Sequence, residues 1–360
     1  MNDLLSRAGA VDGSGTDAGV AAHYGNPLAE QRSLARGTSI VDLSHRAVLS
    51  ISGEDRLSWI NSLTSQSVTK LIPGQSSETL LLDQTGRLEY AVRLIDDGVH
   101  LWLLVDREEA PGLLAWLSQM RFMLRVEILD RTEQFATIGT LGSPTFAAAA
   151  PAGVPLVWHD PWIAVTAGGW QYASVDNHPA ADWTYSEILI PRSCLGALEP
   201  PLAGLLALEA LRIAAWRPRF ATEADEKTIP HELDWLRSAV HLAKGCYRGQ
   251  ETVAKVHNLG HPPRRLVMLH LDGSDAVLPA AGDKVTLGDA VVGLVTSAAL
   301  HFELGPIALA VIKRTTDPLA ELAVRSEGIL VPAAQEIIVP PDAGAAANVP
   351  RLPRLGAVKR

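Results

Sequence analysis

A change of texture near residue 260 limits what this chain can fold into. Gly260 and Pro262-Pro263 end a helical period, and from Leu266 onward RLVMLHL, DAVVGLVTSA, PIALAVIK and EIIVP are apolar runs broken by Gly or Pro. A stretch of roughly 75 residues built this way predicts a C-terminal β-barrel or sandwich rather than another helical layer. Everything upstream mixes helical and strand periods, which predicts α+β units.

Residues 47–52 alternate small or polar with aliphatic side chains, stop at Gly53 and give way to EDRLSWINSL, where Leu57, Ile60 and Leu63 mark one helical face. Segments 79–83 and 88–95 bracket a Gln84-Thr85-Gly86 turn, and Asp97-Gly98 leads into 99–105, where Val99, Leu101, Leu103 and Val105 recur with period two. That is an antiparallel meander. PGLLAWLSQM predicts a helix, with strands at 126–129 and 135–139, so the first unit reads as a split βαβ pattern. After a loop at 142–155, the pattern predicts a hairpin of 162–166 with 170–175 around Ala167-Gly168-Gly169, a strand at 187–190, and helices at 202–216 and 250–259. Residues 1–22 are small, polar and Gly-rich, and 342–360 mix Pro, Ala and Arg without a period, so both ends read as disordered. Two interleaved α+β subdomains then occupy 23–262 and the barrel 263–341.

Composition removes several function classes. Of 360 residues 47% are apolar and 20% charged, enough to bury a large core, and 31 Lys plus Arg against 40 Asp plus Glu leave a net charge of −9. Such a surface has no general attraction for a phosphate backbone, so direct nucleic-acid binding is disfavoured. Two cysteines, Cys194 and Cys246, support neither a disulfide framework nor a four-thiolate metal site, and the compartment reads as reducing. Acidic residues and glycines stand where a signal peptide would be basic and then apolar, and no uncharged apolar run reaches the ~18 residues of a membrane span. The expectation is a cytoplasmic protein. Phosphate-loop, nucleophile-elbow and zinc-protease motifs are absent, and Gly13-x-Gly15 follows no strand. His257 and His261 share a helical spacing, but Gly260 and Pro262 end the helix, so no metal is assigned. The acidic run Glu223, Asp225, Glu226, Glu232 and Asp234 reads as a solvated loop, and Trp59, Trp102 or Trp170 could stack on a flat heterocycle.

One segment concentrates chemistry. Residues 244–251 read Lys-Gly-Cys-Tyr-Arg-Gly-Gln-Glu immediately before a helix, combining a thiol, a phenol, two cations and a Gln-Glu pair. Glycines allow close backbone approach and a helix start offers free N–H groups; the alternative is a capped loop around an inert Cys246.

KGCYRGQETVAKVHNLGHPPRRLV closely resembles the signature of the YgfZ-type folate-binding proteins, a branch of the aminomethyltransferase (glycine-cleavage T protein) superfamily. Weaker likeness covers most of the chain: DLSHRAVLSISGEDRLSWINSL resembles the superfamily's opening strand and helix, IPGQSSETLLLDQTGRLEYAVRLI its central hairpin, and LEALRIAAWRPRF its Leu-Arg helix. The resemblance implies an aminomethyltransferase-like fold with three subdomains around a central cavity that receives tetrahydrofolate or a one-carbon derivative. It implies cofactor binding by Lys244, Gly245, Tyr247, Arg248, Gly249, Gln250 and Glu251, with Arg264 and Arg265 also serving the anionic tail. Cys246 would be the reactive thiol.

Departures from the superfamily bear on mechanism. Its Asn-Asp pair is replaced by Ser65-Gln66-Ser67, and the aspartate that follows its Gly-Gly hairpin has no counterpart at 86–91, where Glu89 is the nearby carboxylate. Its Y-T-G-E-x-G segment corresponds to Gly169-Trp170-Gln171-Tyr172-Ala173. Aminomethyl transfer needs a carboxylate to manage charge on nitrogen. The implied function is therefore a folate-binding accessory protein for assembly or repair of iron–sulfur proteins, including tRNA-modifying ones, without aminomethyl turnover. The alternative is a tetrahydrofolate-dependent aminomethyltransferase or demethylase acting on a small methylated amine.

Overall fold

The computed structural model describes residues 3–144 and 146–347. The first unit is a fully antiparallel sheet in the order Ser76–Leu82, Leu88–Asp96, His100–Val105, Ala47–Ser52, Glu127–Asp130. Helices Arg56–Leu63 and Ala110–Met120 cover one face, where Leu49, Ile51 and Leu103 meet Trp59, Ile60, Leu113 and Leu117. Strand alternation sends Val48, Leu80, Trp102 and Leu104 to the other face, into the main core.

A second sheet runs Val157–His159, Ser186–Pro191, Phe135–Thr140, Ile40–Asp42, Leu202–Ala203, antiparallel except for the last pair. Helix Leu205–Ala214 follows it and packs on the barrel strand Ala290–His301. The barrel is closed: Arg264–Leu271, Gly305–Lys313, Ala290–His301, Lys284–Leu287, Leu322–Ser326 and Ile329–Ile337 pair in a ring, and the last rejoins the first. The expected C-terminal barrel is present, and its first strand begins at Arg264. Val267, Leu269 and Leu271 alternate into its interior, while Leu266 and Met268 face the main core.

Three expectations need correction. The hairpin at 162–175 does not form. Among the described residues only the turn bond from Gly169 N–H to Thr166 O joins its two arms, and the rest of the pairing goes to a neighbour: Thr166 N–H donates to Arg237 O, Trp170 N–H to Leu236 O, and Leu242 N–H to Gly168 O. The N-terminus is not loose, because Leu4 and Val20 are fully buried and Asp17 pairs with Arg219 at 2.8 Å. Of the tail, Ala343 is buried and Ala346 N–H bonds to His257 O, whereas 348–360, like residues 1, 2 and 145, lie outside the described residues. No described helix is long and apolar enough to cross a membrane.

Candidate functional site

The two sheets and helix Leu205–Ala214 enclose a narrow cavity of about 60 Å³, room for a few waters. Sequence spacing explains how its walls are delivered. Ala91 and Arg93 alternate onto one face of strand Leu88–Asp96, and Glu78 lies directly across from Arg93 on the neighbouring strand. Trp183 and Tyr185, on the approach to strand Ser186–Pro191, and Glu187 within it reach the cavity two residues apart, with the Trp183 and Tyr185 rings stacked at 5.0 Å. Trp216 takes a left-handed φ of +58° where the helix ends, and the next four residues, Arg217-Pro218-Arg219-Phe220, all line the cavity.

Its electrostatics are those of a buried charge network. Arg46 and Arg93 both bond Glu187 Oε1, at 2.5 and 2.6 Å, and Arg217 bridges Glu78 at 2.5 Å and Asp160 at 2.9 Å. Arg219 bridges Asp106 and Asp17, tying the N-terminal segment to the cavity wall. Burial alone would raise Asp106, but Arg219, Arg46 and Arg93 outweigh it and hold that carboxyl below the usual range. Glu187 is lowered in the same way by Arg93 and Arg46. Glu109 goes the other way: burial first, then the Asp106 charge, push it up to about 8.

Five cavity-lining residues carry buried polar atoms that make no hydrogen bond: Asp106 Oδ1 and Arg46 Nε, which face each other only as a looser ion pair at 3.5 Å, and Glu187 Oε2, Arg217 Nη1 and Trp235 Nε1. Buried polar groups are normally satisfied, and each orphan costs about 1–3 kcal/mol. A wall with both acceptors and donors unspent is suited to a polar ligand that presents both.

The segment singled out in the sequence lies elsewhere; none of residues 244–251 lines the cavity. Lys244 Nζ donates to the carbonyls of Asn61, Thr64 and Gln66 at 2.6, 2.6 and 2.7 Å, capping the end of helix Arg56–Leu63. Tyr247 is buried under the Lys244 ammonium, and Gln250 closes the loop onto Lys244 O. Arg248 pairs with Glu89 at 2.7 Å; Glu89 shares the strand face of Ala91 and Arg93 but stands outside the cavity lining. Gly249 has φ +81°, and a Cβ there would sit 2.6 Å from Asp83 O. Gly245 has open space around it, and Cys246 and Glu251 are exposed.

Arg264 is held by Asp225 and Glu232, and Arg265 is fully buried at the barrel against Thr316 O and Gln335. The acidic run is not a solvated loop: Glu223, Glu232 and Asp234 are buried, with Glu223 on Arg212 and Asp234 accepting from Tyr172 N–H. His257 bonds the Tyr172 hydroxyl and His261 the Ala343 carbonyl, and no group of three metal-ligating side chains occurs among the described residues. Trp59 and Trp102 are core, Trp170 is partly exposed against His257, and the tryptophans on the cavity are Trp158, Trp183 and Trp235. The missed signals were the alternating Trp-x-Tyr-x-Glu at 183–187 and the cationic Arg-Pro-Arg after a helix.

Comparisons agree with this architecture. Residues 264–337 match the glycine cleavage T-protein C-terminal barrel domain. A chloroplast protein of Arabidopsis thaliana, named as a candidate transferase, is 25% identical over 85% of this chain and 73% of its own length. Aminomethyltransferases of Synechococcus elongatus and Nitrosococcus oceani are each 26% identical, covering 85% and 94% of this chain and 86% and 92% of theirs. The crystal structure of glycine cleavage system aminomethyltransferase T from Bartonella henselae superposes with a TM-score of 0.72 at 16% identity, covering 96% of both chains. The chain thus has the aminomethyltransferase fold, and its barrel and full-length relatives support the aminomethyltransferase superfamily.

Proposed function

We propose that the central cavity binds tetrahydrofolate or a one-carbon derivative through its pterin ring. The carrying observation is the set of five buried atoms on the cavity walls that make no hydrogen bond, three of them, Glu187 Oε2, Arg217 Nη1 and Trp235 Nε1, standing outside the Arg46–Asp106 ion pair as well. The edge of a reduced pterin presents N–H donors beside a carbonyl acceptor, matching carboxylate oxygens set among arginine and indole N–H groups. Stacked Trp183 and Tyr185 add an aromatic wall. At about 60 Å³ the cavity is smaller than the ring, so entry requires paired side chains such as Arg93 and Glu187 to exchange each other for the ligand.

Around that site we read an accessory protein of iron–sulfur protein assembly or repair, acting in a reducing compartment. The resemblance of the 244–251 segment supports this, with Cys246 exposed and able to reach a client protein. A single thiolate can pass iron or sulfur on but cannot hold a cluster. The second reading, a folate-dependent one-carbon transferase, draws on Glu109, a cavity carboxyl that replaces neither missing superfamily aspartate in sequence but stands in the same chamber as the arginine network.

Calorimetric titration with tetrahydrofolate under reducing, oxygen-free conditions tests the site. Trp235→Phe, which removes one indole N–H, should weaken binding about fivefold, the worth of ~1 kcal/mol, while Glu251→Ala leaves it unchanged. Absence of binding by the wild-type chain overturns the reading. Loss of binding in Glu251→Ala alone moves the site to the 244–251 segment.

A further inference from the structure

Five arginines and six carboxylates line the central cavity. Every arginine and five of the carboxylates have an ion-pair partner within 3.2 Å. The sixth carboxylate, Glu109, is in no ion pair among the described residues. Glu109 is the residue before helix Ala110–Met120, yet its side chain makes no capping bond there, and what the fold supplies to its carboxyl is the Asp106 backbone N–H rather than a cation. A half-buried carboxyl with no cation of its own, three residues from one that three arginines keep ionised, is driven to keep its proton. Two neighbouring carboxyls whose surroundings push them apart in this way are the usual mark of divided roles at a site.

We propose that Glu109 is a ligand-recognition acid, donating its carboxyl O–H to a carbonyl oxygen or ring nitrogen of the heterocycle bound in the central cavity. This rests on the folate reading and adds its polarity: the Glu109 end of the cavity takes an acceptor, and the anionic glutamyl tail lies away from it, because a carboxylate there would face Asp106 without a free cation. The charged and titratable groups around Glu109 are Asp106 on its own loop, Arg93 and Tyr90 on strand Leu88–Asp96, and Arg219 after helix Leu205–Ala214. Arg93 and Arg219 are committed to Glu187, Asp106 and Asp17, which leaves the Glu109 proton available to the ligand.

The test is tetrahydrofolate affinity between pH 6 and 9 for the full chain and for Glu109→Gln and Glu109→Ala, with thermal unfolding at pH 6 to establish that each variant folds. Wild-type affinity should be constant at low pH and lie about tenfold below that plateau at pH 9, about fivefold of it lost between pH 8 and 9 as the acid ionises. Glu109→Gln, whose amide still donates, should bind with a flat profile; Glu109→Ala should bind more weakly at every pH. A flat wild-type profile, or one unchanged in Glu109→Gln, overturns this inference and leaves the folate reading standing. A wild-type chain that binds no tetrahydrofolate at any pH overturns both.

Discussion

Gly249→Ala tests whether the 244–251 segment is packing or ligand surface. At Gly249 the backbone has φ +81°, where an L side chain costs about 1–2 kcal/mol. Its Cβ would lie 2.6 Å from Asp83 O and 3.0 Å from both Gly86 Cα and Leu82 Cβ, and two of those atoms are backbone that cannot rotate away. Overpacking of this kind adds about 1–3 kcal/mol. Reduced unfolded-state entropy offsets about 0.4–1 kcal/mol, so the net loss should fall between about 1 and 5 kcal/mol, centred on ~3. Gly245→Ala meets nothing within 4 Å and should cost less than about 1 kcal/mol. Gly86, at φ +82°, faces the same contact from the hairpin, where its Cβ would lie 2.7 Å from Thr252 Cβ. Gly86→Ala and Gly249→Ala should therefore combine non-additively. Urea unfolding followed by tryptophan fluorescence reads the wild type, the three single variants and the double variant, with equal slopes required for comparison. Equal stability of the Gly249 and Gly245 variants would refute the packing argument.

Two further outcomes follow from the same contacts. Lys244→Met removes three N–H donors from three carbonyls and should destabilise by about 3 kcal/mol while leaving tetrahydrofolate affinity unchanged; a stable variant that fails to bind would return Lys244 to the ligand site. Burial raises Asp234 to about 7 and, with Asp106, Glu109 to about 8, against about 4 when unfolded. The folded chain thus holds protons that the unfolded chain releases, so this contribution to stability is complete below about pH 4 and is lost as pH rises through 7 and 8. Buried His178 and His231, pushed down to about 4, give the opposite slope below about pH 6.5, so the test is the difference between two proteins: the stability of the wild type relative to Asp234→Asn should fall from pH 5 to pH 7, and a difference that stays constant or rises contradicts the assignment.

What the sequence made legible were features with a local period or a local stop. Strand Ala47–Ser52, helix Gln250–Leu259 and the barrel start at Arg264 follow directly from alternation, helical spacing and Gly-Pro punctuation. The 162–175 segment looked like a hairpin because its residues suit strands, but its backbone partners come from 234–242, which no local pattern announces. The N-terminus looked unpacked by composition, yet two apolar anchors, Leu4 and Val20, and the Asp17–Arg219 pair suffice to seat it. The cavity was least legible, since Arg46, Glu78, Arg93, Glu109, Glu187 and Arg219 belong to separate stretches that only the tertiary fold brings together.

The 244–251 segment drew attention because it packs so much chemistry into eight residues, and its contacts show how most of that chemistry is used. Gly249 fits against the turn at Gly86, Arg248 pairs with Glu89, and Lys244 holds the end of helix Arg56–Leu63. The first two contacts fall on the hairpin of Ser76–Leu82 and Leu88–Asp96, the element that carries Glu78, Ala91 and Arg93 into the cavity. The segment therefore acts on the cavity at one remove, fixing the register and tilt of one wall. A substitution in it should alter ligand binding only in proportion to how far the hairpin shifts, which separates it from a substitution in the wall itself. Cys246 and Glu251 stand outside this accounting, exposed and making no side-chain hydrogen bond or ion pair among the described residues. If the segment meets a partner, these are the side chains still available to it.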